Sequence, residues 1–183
     1  MTHHEQIHQA CSTCQTPLTP DWLFASIAQQ RLYHYRNETC VREYTTSTSR
    51  RPPSCVQDSL GTPTGLHFVD EKIGQGAPLG MVFKGRVPIG KCVHELSAEE
   101  NRKNLVTTRI LWLRGLEPGK NAGTGCDTHD RYIYIHGTNH EELLGTPDSH
   151  GCLLMANHEV VELFNAIPSG SLVLIGDAPG AGL

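Results

Sequence analysis

The amino-acid sequence predicts one mainly β domain with a short helix near its C-terminus. Eighteen glycines and eleven prolines among 183 residues indicate many turns, as a chain of short strands requires. Several segments alternate apolar and polar residues or are rich in β-branched residues, which is typical of strands. One segment near the C-terminus instead repeats apolar residues at helical spacing. The length suffices for one well-filled core and is short for two.

The N-terminal part begins with a polar stretch and continues with β-type patterns. Residues 1–20 are predicted to form an irregular polar tail, and residues 21–183 one globular domain. Within residues 23–48, two apolar runs flank Asn37, which marks a hairpin turn because asparagine tolerates a positive φ. Residues 49–65 are rich in Arg, Pro and Ser and are predicted to form a loop.

Three further strands are predicted in the middle of the chain. Residues 66–73 and 81–87 are short strands separated by a glycine-containing turn, and Pro88 is expected to end the second one. Residues 105–113, LVTTRILWL, are dense in β-branched and aromatic side chains. This composition predicts a central strand.

Two polar segments flank that central strand. Ser97 and Glu100 have the spacing of a capping box, which favours a short helix over residues 97–103. The apolar face of this segment is poor, so a loop is favoured almost equally. Residues 115–130 form a glycine-rich loop, and its length predicts a functional flap because long loops in compact domains usually have a function.

The C-terminal segment predicts a helix followed by a strand. Asn157 is placed to N-cap the helix. Val160, Phe164 and Ile167 then recur on one face, as in a helix that packs on a core. Proline and glycine end the helix, and residues 171–175, SLVLI, are predicted to form the last strand.

Composition and charge exclude several classes of partner. A net charge of −4 gives no reason to expect nucleic acid or an anionic membrane as a partner. No apolar run approaches the ~20 residues that a membrane-spanning helix requires. The N-terminus, MTHHEQIHQ, lacks the basic region and apolar core of a signal peptide, so no export signal is expected. Nothing in the sequence indicates an oligomeric state.

Residues 131–155, RYIYIHGTNHEELLGTPDSHGCLLM, contain the groups that cysteine chemistry needs. The segment alternates like a strand up to His136, with Tyr134 and His136 on one face. A catalytic cysteine needs a base that helps to form the thiolate and N–H groups that hold an oxyanion. His136 precedes Cys152 by sixteen residues, enough for a loop that returns the imidazole to the sulfur. Gly151 lets the backbone approach a substrate carbonyl closely.

These residues resemble the signature of a known family. HGT at 136–138, a loop, and SHGC at 149–152 followed by apolar residues and Met are similar to the L,D-transpeptidase catalytic domain, the YkuD family. TPTG at 62–65 resembles the family's TPxG turn, and residues 157–175 resemble its closing helix and strand. The likeness spans roughly residues 22–175. It implies a mainly β, β-sandwich-like catalytic domain.

The resemblance also implies roles for the residues of the site. Cys152 is implied to be the nucleophile and His136 its base. His150 is grouped with them, and it could order the oxyanion loop, bind a substrate carbonyl or merely pack. The amides of Gly151 and Cys152 are candidate oxyanion donors. The residues expected to shape the oxyanion site or to bind substrate are Gly151, Ser149, Gly137, Thr138 and Tyr134.

The implied activity is transpeptidation of peptidoglycan. The Cys152 thiolate attacks a peptide carbonyl at the L-centre of a donor stem peptide, D-alanine leaves, and the amine of an acceptor stem peptide resolves the thioester. If water replaces that amine, the same site is an L,D-carboxypeptidase. A catalytically quiet peptidoglycan-binding module is the alternative from another class. The implied activity favours the periplasm or cell envelope, whereas the N-terminus leaves a cytoplasmic location open.

The sequence departs from the family pattern at Leu154, where Arg or Asn is usual. An arginine there can form a charge-assisted pair with a carboxylate, and leucine cannot. If the substrate is an acidic stem peptide, another cation or hydrogen-bond donor must take this role. The candidates near the motif segments are Arg131, Arg109, His140 and Asn157.

The cysteines leave two alternatives open. They are Cys11, Cys14, Cys40, Cys55, Cys92, Cys126 and Cys152. With Cys152 reserved for catalysis, six remain, enough for three disulfides in any of 15 pairings. The lack of a signal peptide favours six reduced thiols, because disulfides persist in oxidising compartments.

A metal site is the alternative to the cysteine mechanism. Cys11-x-x-Cys14 could be half of a zinc site, but no second CxxC follows, so accidental spacing is favoured. His136 and His140, near Cys152, are also zinc-ligand types. Their i, i+4 spacing suits a helix, whereas the YIYI pattern before His136 indicates a strand. We therefore predict a site without metal or other cofactor.

Overall fold

A computed structural model describes residues 1–176, and residues 177–183, the end of the predicted globular domain, lie outside the described residues. The helices are α1 (His3–Thr13) and α2 (Asn157–Ala166). The strands are β1 (Asp21–Ser26), β2 (Arg31–Arg36), β3 (Thr39–Thr45), β4 (Gly65–Ile73), β5 (Met81–Lys84), β6 (Val87–Cys92), β7 (Val106–Gly115), β8 (Tyr134–Gly137), β9 (Leu153–Met155) and β10 (Leu172–Gly176). Neither helix has the length and apolar character that a bilayer crossing needs.

The strands form one sheet that branches at β7. Its main path runs β3-β2-β1-β10-β4-β7-β5-β6, and β8 and β9 continue from β7 off this path. β7 pairs with β4 along one edge and with β8 along the other, which confirms the prediction of a central strand. Two pairs are parallel, β1 with β10 and β8 with β9. The mainly β class predicted from the sequence is confirmed.

The main core lies where both branches of the sheet meet α2. It combines fully buried side chains of β1, β7, β8, β9 and β10 with one face of the helix. Val160, Phe164 and Ile167 are buried on that face, as their spacing predicted. Asn157, however, is the first residue of α2 and not its N-cap, because the cap position is held by Ala156 in an extended conformation. The Asn157 side chain instead bonds to Thr107 and to the carbonyl oxygen of Thr138.

The N-terminal segment corrects the prediction of an irregular tail. α1 begins with a capping box in which Thr2 Oγ1 accepts from the Glu5 N–H and Glu5 accepts from the Thr2 N–H. Ile7 is fully buried and Cys11 is 7% exposed, one helical turn apart, and both pack in a cluster with Trp22. The polar composition concealed a helix because its buried face is small and includes a histidine: His3, Ile7 and Cys11 are its buried residues. The T-x-x-E spacing was the available signal.

Two further segments differ in detail from their patterns. Residues 23–48 supply three strands and not two, with the predicted hairpin turn at Asn37, whose φ is 52°. Pro88 lies inside β6 and does not end a strand; β6 is at the edge of the sheet, where a missing N–H is tolerated. Ser97 and Glu100 make the predicted reciprocal capping bonds, but only a single 3-10 turn follows.

The docking of α1 can be tested at Ile7. We expect Ile7→Ala to lower the free energy of unfolding by about 2–4 kcal/mol, because the substitution leaves a cavity under the helix. Gln9→Ala, on the exposed side of the same helix, is the matched control and should change stability by less than about 0.5 kcal/mol. Urea denaturation followed by circular dichroism measures both. Equal effects of the two substitutions would indicate a tail that does not dock.

Candidate active site

The pairing of β8 with β9 brings the predicted cysteine and histidine together. His136 is opposite Leu154 in this parallel pair, and Cys152 immediately precedes β9. His136 and Cys152 therefore line one cavity of about 160 Å³, together with Ser149, His150 and Leu154. The fifteen residues between the pair return the chain to the sheet beside the strand that it left.

The hydrogen bonding of His136 determines which ring nitrogen is free. Its Nδ1 lies 2.7 Å from the carbonyl oxygen of Gly137. A carbonyl can only accept, so Nδ1 carries the hydrogen and Nε2 carries a lone pair. The side chain is buried, and burial lowers the pKa of His136 to about 4. The imidazole is therefore neutral at pH 7 and able to take a proton.

The Cys152 thiol is held beside two tyrosines. Its Sγ accepts a hydrogen bond from the Tyr134 N–H at 3.3 Å and lies 3.5 Å from the carbonyl oxygen of Tyr132. Burial raises the pKa of the thiol to about 11, although the Tyr134 N–H and the Arg131 guanidinium act in the opposite direction. With that pKa, about one molecule in 10⁴ carries the thiolate at pH 7. The resting cavity is thus lined by a neutral thiol and a neutral imidazole.

Ser149 ties the loop that carries Cys152. Its Oγ donates to the carbonyl oxygen of Cys152 at 2.6 Å and accepts from the Gly151 N–H at 3.1 Å. Gly151 has a φ of 125°, and a Cβ there would lie 2.9 Å from Cδ1 of Ile133, so this position requires glycine. The Gly151 amide is thus already occupied. The Cys152 N–H, in contrast, donates to no group within residues 1–176.

Gly137 and Thr138 join elements behind the cavity and do not line it. The Thr138 N–H donates to the carbonyl oxygen of Met155 at 3.1 Å, and its own carbonyl accepts from Asn157 Nδ2 at 2.8 Å. A Cβ on Gly137 would lie 2.6 Å from Asn157 Oδ1. Asn157 also accepts from the Thr107 hydroxyl at 2.6 Å. These contacts connect β7, β8, β9 and α2.

Tyr134 is buried, whereas His150 is exposed. Tyr134 is 7% exposed, packs edge-on against Trp112 and accepts a hydrogen bond from Arg86 through its hydroxyl at 3.2 Å. No pattern in the sequence singled out Arg86, which is remote from the motif segments. His150 is exposed and borders a second cavity of about 230 Å³ that Arg131 also lines.

Leu154 is buried, and the residues expected to replace the usual Arg or Asn are mostly engaged elsewhere. Leu154 is 4% exposed and lines the cavity of Cys152. Arg109 donates to the carbonyl oxygens of Ala77 and Thr108, and its guanidinium lies 5.5 Å from the Phe164 ring, on the side of α2.

Arg131 is the one of the four candidates whose charge acts on Cys152. Its guanidinium donates to the carbonyl oxygens of Ser54 at 3.0 Å and Gly61 at 2.7 Å, so it holds the loop of residues 49–65 in place. Asn157 is committed to the scaffold described above. His140 follows β8, and its ring contacts Asn139 and Glu142, so it does not share a helical face with His136.

Within residues 1–176, Cys152 belongs neither to a disulfide nor to a group with metal-ligand spacing. All seven cysteines are free thiols. The group with metal-ligand spacing in residues 1–176 is Asp70, Glu71 and His129, which does not include Cys152. Arg114 donates to Asp70 at 2.8 Å, so a cation already neutralises part of that group.

A cysteine and a neutral histidine in one cavity of a mainly β domain are typical of enzymes that use a cysteine nucleophile. The model of the L,D-transpeptidase catalytic domain family, YkuD, matches residues 20–175. The chain therefore belongs to the YkuD family of L,D-transpeptidase catalytic domains, whose members use cysteine and act on peptidoglycan of the cell envelope.

Individual proteins are similar to this chain in part of the sequence or in fold. A candidate L,D-transpeptidase of Bacillus subtilis (strain 168), YqjB, is 54% identical over 50 residues, 27% of this chain and 28% of that protein. L,D-transpeptidase 3 of Mycobacterium tuberculosis superposes with a TM-score of 0.54 at 14% identity, over 86% of this chain and 61% of that one. A mutant of the Enterococcus faecium L,D-transpeptidase gives 0.52 at 15% identity, over 87% and 50%.

These structural matches establish the fold, which is the mainly β L,D-transpeptidase fold with a C-terminal helix. In each case, the chain covers less than two thirds of the similar protein.

The raised pKa of Cys152 predicts an unusual pH profile of alkylation. Between pH 7 and pH 10 the rate of reaction with iodoacetamide should rise about tenfold per pH unit without a plateau, because the thiolate fraction rises in that proportion. Cys152 in the urea-unfolded chain is the control, and its rate should level off above its ordinary pKa of about 8.5. Peptide mass spectrometry resolves Cys152 from the other thiols. A plateau below pH 9 in the folded protein would contradict the raised pKa.

The burial of Leu154 predicts how an arginine there would behave. Leu154→Arg should lower the melting temperature by several degrees, because a charge is forced into a cavity of about 160 Å³. Leu154→Met, similar in volume and uncharged, should cost less than about 1.5 kcal/mol. Differential scanning calorimetry measures both. An unchanged melting temperature together with a lower KM for acidic peptides would show that position 154 is open to substrate.

Proposed function

We propose that this chain is an L,D-transpeptidase that crosslinks peptidoglycan stem peptides through a thioester on Cys152. The observation that supports this most is the shared cavity of Cys152 and His136, in which the Nδ1–H of His136 is held by the Gly137 carbonyl. The lone pair on Nε2 is then the one available to a proton on the sulfur. A histidine with only a structural role would not need an unbonded Nε2.

In the acylation step, Sγ attacks the carbonyl carbon at the L-centre of the donor peptide while Nε2 of His136 takes the thiol proton. The starting thiol is neutral, so proton transfer and attack occur together. The imidazolium that forms is a strong acid, because burial lowers the pKa of His136 to about 4. It therefore gives its proton readily to the leaving amine of D-alanine, and the C–N bond breaks.

Stabilisation of the tetrahedral oxyanion is assigned to the Cys152 amide. This N–H is unengaged, whereas the Gly151 N–H is bound by Ser149. Ser149 positions the Cys152 carbonyl and, through it, the direction of the adjoining peptide. Oxyanion donors must be fixed before the reaction to be effective, and this tie fixes the loop.

The thioester is then resolved by the amine of an acceptor peptide. His136 takes one proton from that amine, the new amide bond forms, and the thiol is restored by the same proton. Hydrolysis by water is the competing outcome, and exclusion of water from the acyl-enzyme determines the ratio. The implied place of action is the cell envelope, where crosslinked peptidoglycan lies.

The function is tested by incubating the protein with purified muropeptides and measuring intact mass. The wild type should show an acyl-enzyme and a crosslinked product, and Cys152→Ala should show neither while keeping its melting temperature. Cys126→Ala removes another partly buried thiol and should leave activity unchanged. Turnover by Cys152→Ala would contradict the cysteine mechanism. A trimmed product alone would indicate the carboxypeptidase.

The role of the base is tested by His136→Ala. We expect a loss of acylation rate of about 10²–10⁴-fold, which is typical of removing a general base. His150→Ala, an exposed histidine bordering the same cavity, is the matched control and should lose less. Single-turnover mass spectrometry gives the acylation rate. If both substitutions cost the same, His136 has no special part in the proton transfer.

A further inference from the structure

Arg86 is at an unusual place in the backbone. Lys84 pairs with Val87, so Gly85 and Arg86 alone form the turn between β5 and β6. Both have a positive φ, 55° for Gly85 and 69° for Arg86. Two-residue turns of this kind favour Gly, Asn or Asp, and a long side chain at the second position is disfavoured. A residue held in such a conformation is a reasonable candidate for function.

The side chain of Arg86 extends over an aromatic surface. Its guanidinium carbon lies 4.4 Å from the Trp112 ring centre and 5.1 Å from the Tyr132 ring centre, and one nitrogen donates to the Tyr134 hydroxyl at 3.2 Å. Tyr132 is 53% exposed, so this surface is open to solvent. The hydrogen bond to the Tyr134 hydroxyl is the main cause that raises the pKa of Arg86, and the carboxylate of Glu71 acts in the same direction.

The same two tyrosines contact the nucleophile. The Tyr134 N–H donates to Cys152 Sγ, and the Tyr132 carbonyl lies 3.5 Å from that sulfur. Tyr132 and Tyr134 each contact both Arg86 and Cys152, so a single residue separates the guanidinium from the thiol. An extended peptide spans about 3.3–3.6 Å per residue, so a carboxylate one or two residues from the attacked carbonyl lies roughly 3–7 Å from it.

We propose that Arg86 binds a free carboxylate of the peptide substrate and determines specificity for acidic peptides. The inference rests on the proposed function and supplies the cation that Leu154 lacks. Apart from the bond to Tyr134, the guanidinium donates to no group of residues 1–176, so its fork is open to a carboxylate. Arg131 is less suited, because its donors already bind the Ser54 and Gly61 carbonyls.

Arginine suits this position better than lysine. Its planar guanidinium can stack on Trp112 and at the same time present two parallel N–H groups to a carboxylate. Stacking holds the cation in place before substrate arrives, which reduces the ordering cost of binding. The opposing interpretation is that Arg86 only fastens the β5–β6 hairpin to Trp112.

Three variants separate these interpretations. Arg86→Gly removes the guanidinium and places a favoured residue in the turn, so the hairpin should persist. Arg86→Lys keeps the charge and removes the fork. Lys84→Gln removes an exposed positive charge from the same hairpin and is the matched control. Melting temperature and an unchanged rate of Cys152 alkylation by iodoacetamide verify that each site is intact.

The first measurement is protection of Cys152 from iodoacetamide by an acidic stem tetrapeptide and by its carboxamide analogue. It requires binding and no turnover. In the wild type and in Lys84→Gln, the carboxylate peptide should protect at a concentration about tenfold lower than its amide, as expected for a charge-assisted bidentate pair. Arg86→Gly should remove this difference, and Arg86→Lys should keep part of it. An undiminished difference in Arg86→Gly would overturn the proposal.

The second measurement separates failure of this inference from failure of the proposed function. If neither peptide protects Cys152 in the wild type, the peptide substrate is wrong. The ratio of alkylation rates with iodoacetate and iodoacetamide then tests the anion site alone. Arg86→Gly should lower this ratio about threefold or more, as expected when a cation near the thiol is removed, and Lys84→Gln should not. An equal ratio in the wild type and Arg86→Gly would overturn the assignment of Arg86.

Discussion

The parallel pairing of β8 with β9 is the constraint on which the site depends. It aligns His136 with Leu154 and places Cys152 just before β9. Side chains alternate along a strand, so a slip of one residue would turn His136 into the core and Ile135 into the cavity. Ile135 and Leu153 are fully buried on the other face, and their burial holds the register. The hydrophobic core thus positions Cys152 and His136, the candidate catalytic pair.

Burial gives the pair its electrostatic character. Removal from water disfavours both charged forms, which raises the pKa of Cys152 and lowers that of His136. The site is then a neutral pair at rest, in contrast to a preformed thiolate and imidazolium. The Tyr134 N–H, which donates to the sulfur, and the charge of Arg131 both lower the pKa of Cys152 and so oppose the effect of burial.

Much of the surrounding structure holds loops in position. Ser149 bonds to the Gly151 N–H and to the Cys152 carbonyl, and Asn157, at the start of α2, joins β7 to the end of β8. These polar groups lie close to the cavity, and their bonds to the backbone leave the Cys152 amide available. Gly137 and Thr138, which were expected to shape the oxyanion site or to bind substrate, lie against Asn157 and Met155 behind the cavity. A sequence motif locates a site, but it does not show which of its residues line the cavity and which hold the backbone in place.

The sequence by itself determined the mainly β class, the central strand β7 and the apolar face of α2, and it singled out Cys152 and His136 as the candidate pair. Each is a local signal, written in side-chain periodicity or in spacing within one segment. The docking of α1 and the position of Arg86 were decided by tertiary structure. Ile7 is buried by strands that are distant along the chain, and Arg86 reaches Trp112 and Tyr134 only because β5 pairs with β7. Such contacts join segments that are far apart in the sequence, and the residue pattern of one segment does not indicate which other segment it will contact.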